Sequence, residues 1–437
     1  MMRNYFLVLL FLLLTSIGAH ATTYTSAQNG SWMNFMTWSP LGVPVPGDII
    51  IINHDVVLDT SFAYTTGSIT VNASGSLVND SFGRDIWLNG VNTSFVNNGT
   101  TTIRYILLSS GSFTNSGDFN VKSVANFTTA NNTATGNFIG VDSLYNDGTL
   151  NNNGTINIMT FFNDQTFNNY GTIQGLTTVV DSMYNAGTFL NDAGALIKAD
   201  SCTNSGVFTN NGSLEYLQYT NIGTFTNNNW LSFDDITNLG TFTNNATMIG
   251  AHSLWNAEVF NNNTGAQITL ATSFLNADST ASNATFNNDG AFDIGDSFYN
   301  FNTITGASTG SFTMQDSSYN SGTMTGSFDF CDATPPGTAP YIDINLGTVD
   351  PLITYCVASA IHENELFDFT IYPNPTTGMV YLGVKNQFVE VYNLEGKKIV
   401  ERYTDHINIE NVPSGIYYLM VKDDKGIPIY KEKLVKE

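Results

Sequence analysis

Through the middle of the chain apolar residues come singly, alternating with polar ones, as in Gly-Thr-Phe-Thr-Asn at 223–227 and again at 240–244. One side chain in two is apolar, the period of a short strand with one buried face, and nothing recurs at the i, i+3, i+4 spacing of a helix. Gly, Asn, Thr and Phe are also poor helix formers. Asn-Asn-Gly or Asn-Asn-Asn closes most of these bursts, a composition that tolerates the left-handed backbone of a tight corner.

The bursts repeat. A unit of the form Asn-x-Gly-Thr-Phe begins at Asn97, Asn115, Asn146, Asn185, Asn204, Asn221, Asn238, Asn256, Asn300 and Asn320. From Asn185 to Asn256 the separations are 19, 17, 17 and 18 residues. Locked to it is Phe-x-Asn-Asn, or a close variant, starting at Leu150, Phe167, Phe189, Phe208, Phe225, Phe242, Phe260 and Phe286. A third echo, Asp-Ser-x-Tyr-Asn, starts at Asp142, Asp181, Asp296 and Asp316, and His252 occupies the same slot. This period is too short for helix-pair solenoids or propeller blades. Strand, corner, strand, corner at constant period predicts an all-β chain whose body is a parallel, right-handed β-helix.

Stacked rungs would place Phe189, Phe208, Phe225, Phe242 and Phe260 in one interior column, each ring contributing about 1.5–3 kcal/mol. Asn at equivalent corners would form amide ladders. About fourteen rungs, each roughly 4.8 Å thick, are expected, closed at both ends by caps. The longer gaps from Asn115 to Asn146 and from Asn276 to Asn300 predict loops or extra strands. A disordered low-complexity tract is the competing reading, but 30 Phe and 20 Tyr need a core to bury them.

The flanks differ in character. Arg3, the apolar run Tyr5–Leu14 and Ala19-His20-Ala21 have the layout of a cleaved signal peptide over residues 1–21. Residues 22–60, with Trp32, Trp38 and Pro46-Gly47-Asp48 before the apolar run Ile49–Leu58, read as an N-terminal cap with the first strands. That stretch resembles the opening found before β-helices in exported proteins of Bacteroidetes-type bacteria. Repeats then fill 61–330, and 331–366 read as a C-terminal cap and linker.

From Phe369 the Asn-rich language stops. Tyr372-Pro373-Asn374-Pro375 with Gly378, Val391-Tyr392-Asn393-Leu394 with Gly396, and Ser414-Gly415-Ile416-Tyr417 follow in order, before a basic finish at Lys431–Lys436. On these landmarks residues 367–437 resemble the type A C-terminal sorting domain of the type IX secretion system. The alternating Val389, Val391 and Tyr417, Leu419, Val421 independently predict a small antiparallel β-sandwich. The resemblance implies export, via the periplasm, through an outer-membrane translocon to the outer cell surface or medium. It also implies removal of the tail by a cell-surface sorting peptidase, within about 358–368.

Charge narrows the function. Between Ala21 and Asp368 the only cations are Arg84, Arg104, Lys122 and Lys198, in a chain of net charge −23. Such a body repels nucleic acid and anionic lipid; the apolar run Tyr5–Leu14 is too short to span a bilayer comfortably, and no second run of that kind follows. Cys331 and Cys356 can bridge in an oxidising compartment, closing a loop worth about 3 kcal/mol. Three unpaired buried thiols, with Cys202, are the other reading.

No metal site, cofactor or catalytic residue is expected. Asp234-Asp235 is the nearest approach to a paired carboxylate, and on a strand the two would face opposite sides. Asp142-Ser143-Leu144 and Asp181-Ser182-Met183 look like the O-glycosylation acceptor pattern of Bacteroidetes, though triplets this short also arise by chance. The expected function is a non-enzymatic, adhesin-like or structural rod that meets glycans or other cell surfaces. A polysaccharide lyase or hydrolase on the same fold, and a passive spacer, are the alternatives.

Overall fold

A computed structural model of the chain describes residues 21–176, 179–277, 283–356, 371–382, 387–393, 397–422 and 428–437. The segment up to His20, expected to be a signal peptide, Gly396, and residues 358–368, where processing is expected, lie outside the described residues. The chain divides into two compact units that part after Val357.

The first unit is a parallel β-solenoid of about 15 turns. One rung shows how the sequence builds it. Thr224–Asn227 is a four-residue strand with Phe225 and Asn227 facing inward, and Asn228-Asn229 turns the corner. Trp230–Asn238 then buries Leu231, Phe233, Ile236 and Asn238, bending at Asp234-Asp235, where two successive residues face outward. Leu239-Gly240 turns into the next rung at Thr241. The short strands stack into one 18-stranded sheet, here sheet A, and the long bent strands into sheet B. From Thr247–Gly250 and Leu254–Asn256 onward the bend breaks each long strand in two.

Pairing is in register, so like residues stack. Phe189, Phe208, Phe225, Phe242 and Phe260 are mutual partners across sheet A and fully buried. Their successive ring centroids lie 4.5, 5.3, 4.6 and 4.5 Å apart. Parallel strands repeat at about 4.8 Å, so one ring per rung fills the column without a void.

The corners carry two amide columns, not one. Asn97 and Asn115 pair onward to Asn132 and Asn152 at the end of sheet A. Asn146, Asn185, Asn204 and the remaining repeat asparagines belong to a second column at the end of sheet B, which Asn126 opens. The repeat series read from the sequence therefore crosses from one column to the other between Asn115 and Asn146. The gap there holds extra strands: Asp118–Asn126, Thr129–Asn132 and Asn137–Asn146 make one and a half rungs where the sequence pattern shows none. In its sheet A strand, Thr129–Asn132, Ala130 takes the Phe position and Phe138, against Phe113 and Phe119, fills the space. The other gap does hold a longer connection: the chain runs from Asn276 to Thr285 before sheet A resumes.

The asparagine corners are not left-handed. Among the described residues Ala277 is the one non-glycine with positive φ, at 65°. Asparagine is used for its buried amide, not for backbone permissiveness.

Both ends are closed. Thr23–Ser26 adds a strand on Ile49–Ile52, and Trp38 and Trp32 pack edge to face at 5.1 Å over the first rungs, the Trp38 indole donating to the Trp32 carbonyl. At the other end the stack runs past 330, through the short pairings of Asn345, Thr348 and Tyr355. Cys331 and Cys356 are bonded, fastening that last rung. Cys202 is free and buried, and burial pushes its thiol up to about 12.

The second unit has its own core of Val380, Val389, Val391, Ile407, Leu419, Val421 and Leu434. A three-stranded and a four-stranded antiparallel sheet enclose it.

Candidate functional site

Two regions carry functional information: the Tyr372–Gly378 motif of the second unit and the outward faces of the solenoid. In the motif, Ile371 and Tyr372 pair with Leu382 and Tyr381, leaving the Tyr372 ring exposed and stacked on Tyr381 at 5.9 Å. Pro373 and Pro375 offer no N–H, so the loop cannot join a sheet through them. Asn374 between them makes the joint instead. Its side chain donates to the Lys433 carbonyl at 2.6 Å and accepts from the Val435 amide at 2.9 Å. Thr376 continues the seam, with its amide on the Val435 carbonyl and its carbonyl accepting from Glu437.

Gly378 packs so closely on Glu410 that a Cβ there would lie 3.0 Å from the Glu410 Cβ. Gly415 opens the strand that pairs with the C-terminal strand, opposite Lys436. The buried Tyr417 hydroxyl donates to the Pro413 carbonyl at 2.7 Å, as in the tyrosine corner of β-sandwiches. The motif thus fixes the last strand, Pro428–Lys436, against the body of its own unit.

One cluster in this unit escapes the sequence pattern. Alternation puts Glu390, between Val389 and Val391, on the face away from the core, yet it is only 5 % exposed. Lys398 and Lys422 each reach its carboxylate at 2.7 Å, and the Tyr392 hydroxyl donates to it at 2.6 Å. Burial works to raise its pKa, but hydrogen bonds from Lys398, Lys422 and Tyr392 outweigh it and hold the carboxyl at about 2.

On the solenoid, Asp234, Asp235, His252 and His54 contact neighbouring strands. Asp234 and Asp235 both face outward at the strand bend, a departure from the opposite facing expected of neighbours on a straight strand. The Asp235 carboxylate accepts from the amide and hydroxyl of Ser253 on the next rung, and His252 lies 3.9 Å from Asp234. His54 is bonded to the Ser26 carbonyl at 2.8 Å. Among the described residues no three His, Cys, Asp or Glu converge as metal ligands. A shallow concavity of about 460 Å³ opens on the outward face of sheet A, lined by Asn261, Asn287, Thr305 and Thr325 of its strands, with Asn263 and Asp289 at the adjoining corner. Its one carboxylate, on Asp289, accepts from the Ala307 amide.

Among the described residues no helix is long and apolar enough to cross a membrane. No curated protein and no solved structure matches the chain. The family described as "Secretion system C-terminal sorting domain" matches residues 370–437. Residues 370–437 are a type IX C-terminal sorting domain, borne on a parallel β-solenoid, and they mark the chain for export to the cell surface or medium.

Proposed function

We propose that the exported solenoid is a non-enzymatic display protein, adhesin-like or structural, which meets glycans or other cell surfaces through its flat faces. The single observation that carries this reading is the uniformity of the body. Rung follows rung in register throughout sheet A and through most of sheet B, and Asp235 and His252 contact neighbouring strands instead of converging on a cleft. The concavity on the face of sheet A has one carboxylate and no cation among its lining residues, which leaves a lyase without its charge neutraliser and a glycosidase without its pair.

Export through the periplasm and removal of the tail by the sorting peptidase belong to the same proposal. The test is attachment of cells displaying the chain to glycan-coated surfaces and to neighbouring cells, scored against cells lacking it. Displayed chain is expected to raise attachment. Release of sugar products from any offered polysaccharide would transfer the protein to the enzyme class.

A further inference from the structure

Sheet A has a property that composition alone hides. The chain carries 37 acidic and 14 basic residues, yet no strand of the 18-stranded sheet contains a charged residue or a histidine. Charge is confined to sheet B, the corners and the second unit, as with Lys198–Glu215 and Arg104–Asp85. The outward face of sheet A is two columns wide. One column runs from Ser94 through Thr129 and Thr224 to Thr323, the other from Val96 through Thr226 to Thr325. In both, every position is Thr, Ser, Asn, Val or Leu.

The columns are also unbroken. Register shifts interrupt sheet B, between Asn120 and Ser123 and between Phe138 and Val141, whereas the pairings of sheet A contain none. The hydroxyls of Thr224, Thr226, Thr241 and Thr243 have no hydrogen-bond partner among the described residues. Threonine is stiff at χ1, and the buried phenylalanines and amide columns beneath hold the backbone. Around these four threonines the face is a rigid patch of free hydroxyls and methyls, repeating at about 4.8 Å between rungs and about 6.7 Å along each strand, while elsewhere the columns carry side chains bonded to each other, as Asn151 is to Asn131 and Asn168 and as Asn287 is to Asn261.

We propose that this face binds crystalline water, the surface of ice. The two repeats are close to the oxygen spacings on the prism plane of hexagonal ice. A fixed hydroxyl can take a lattice position while the neighbouring methyl displaces disordered solvent. Charged groups, which keep their own hydration shells, are absent from this face alone. A neutral polysaccharide would find no outward aromatic ring on these strands to stack on. The proposal rests on the display reading, naming the partner of one face.

The test is partitioning of the full-length chain into a slowly growing ice hemisphere, with thermal hysteresis and recrystallisation inhibition read in parallel. Thr226→Tyr and Thr243→Tyr put bulk on the face, and Thr220→Tyr puts the same bulk on the outside of sheet B. Thermal melting establishes that each variant is folded.

The expected result is ice capture by the parent and by Thr220→Tyr, with loss of capture in both sheet A variants. Failure of the parent to enter ice, or capture that survives Thr226→Tyr and Thr243→Tyr, overturns the proposal. So does a sheet A-dependent dimer in sedimentation, or sheet A-dependent retention on insoluble neutral polysaccharide, without ice capture. In either of those cases cell attachment still tests the display reading separately.

Discussion

Each asparagine of the two columns does more than mark a corner. The Asn227 side chain donates to the Asn244 amide oxygen at 2.9 Å and accepts from Asn210 at 2.8 Å, while reaching the carbonyls of Asn229 and Thr247. Asn210 and Asn244 are fully buried like Asn227 itself, and an unmet polar atom in such a place costs about 1–3 kcal/mol. Asn227→Ala is therefore expected to destabilise the solenoid by about 2–4 kcal/mol in thermal or denaturant melting. Asn227→Asp should cost more, because a carboxylate oxygen would face acceptors.

Glu390 supplies a pH signature for the sorting domain. Its folded pKa of about 2 is below the ordinary glutamate value near 4.3. A depressed carboxyl stabilises the folded state above its unfolded pKa, and that stability is lost as pH falls through the folded value. Hydrogen-exchange protection of the Val389 and Val391 amides should fall as pH drops from about 4 toward 2. Glu390→Gln should remove that step, and an unchanged step in the variant counts against the assigned cluster.

At the scale of elements, strand type and face were legible from alternation, because a four-residue strand with one buried ring has little other way to fold. The Phe column followed from period and chemistry together. Membership of the two amide columns was not legible: both corners use the same Asn-x-Gly-Thr wording, and only strand pairing separates Asn115 from Asn146. The rung at Ala130 was hidden for a related reason. Its ring comes from Phe138, on the neighbouring sheet, so the local sequence shows an alanine where the pattern wants an aromatic. Glu390 was missed because alternation reports which side of a strand a residue takes, not what closes over it.

Two tests belong here. Phe225→Ala removes a ring in contact with Phe208, Tyr219 and Phe242 and should cost about 3–5 kcal/mol. Cys356→Ser should release the last rung, lowering stability by about 3 kcal/mol. Because rungs interact with nearest neighbours, the lost protection should concentrate in 344–355 and spare the rungs around Phe225.

For the whole molecule, a chain ending before Phe369 lacks the Asn374 seam and every strand of the sorting domain. It is expected to accumulate in the periplasm when expressed in its secreting host, as followed by fractionation, and its normal appearance outside would refute the role given to the tail.

If the body is the display surface proposed, its function is spread along repeated faces and resides in no single rung. Deleting residues 224–240 removes one full turn and brings Thr241–Asn244 onto Val207–Asn210 in the register that Thr224–Asn227 now holds. Attachment of cells displaying this shortened chain, measured beside its melting curve, is the most direct test. A folded protein that still supports attachment, weakened in proportion to the lost face, is the expected result. Complete loss of attachment by a folded, exported deletion would mean that a discrete site does the work, and would contradict the display function.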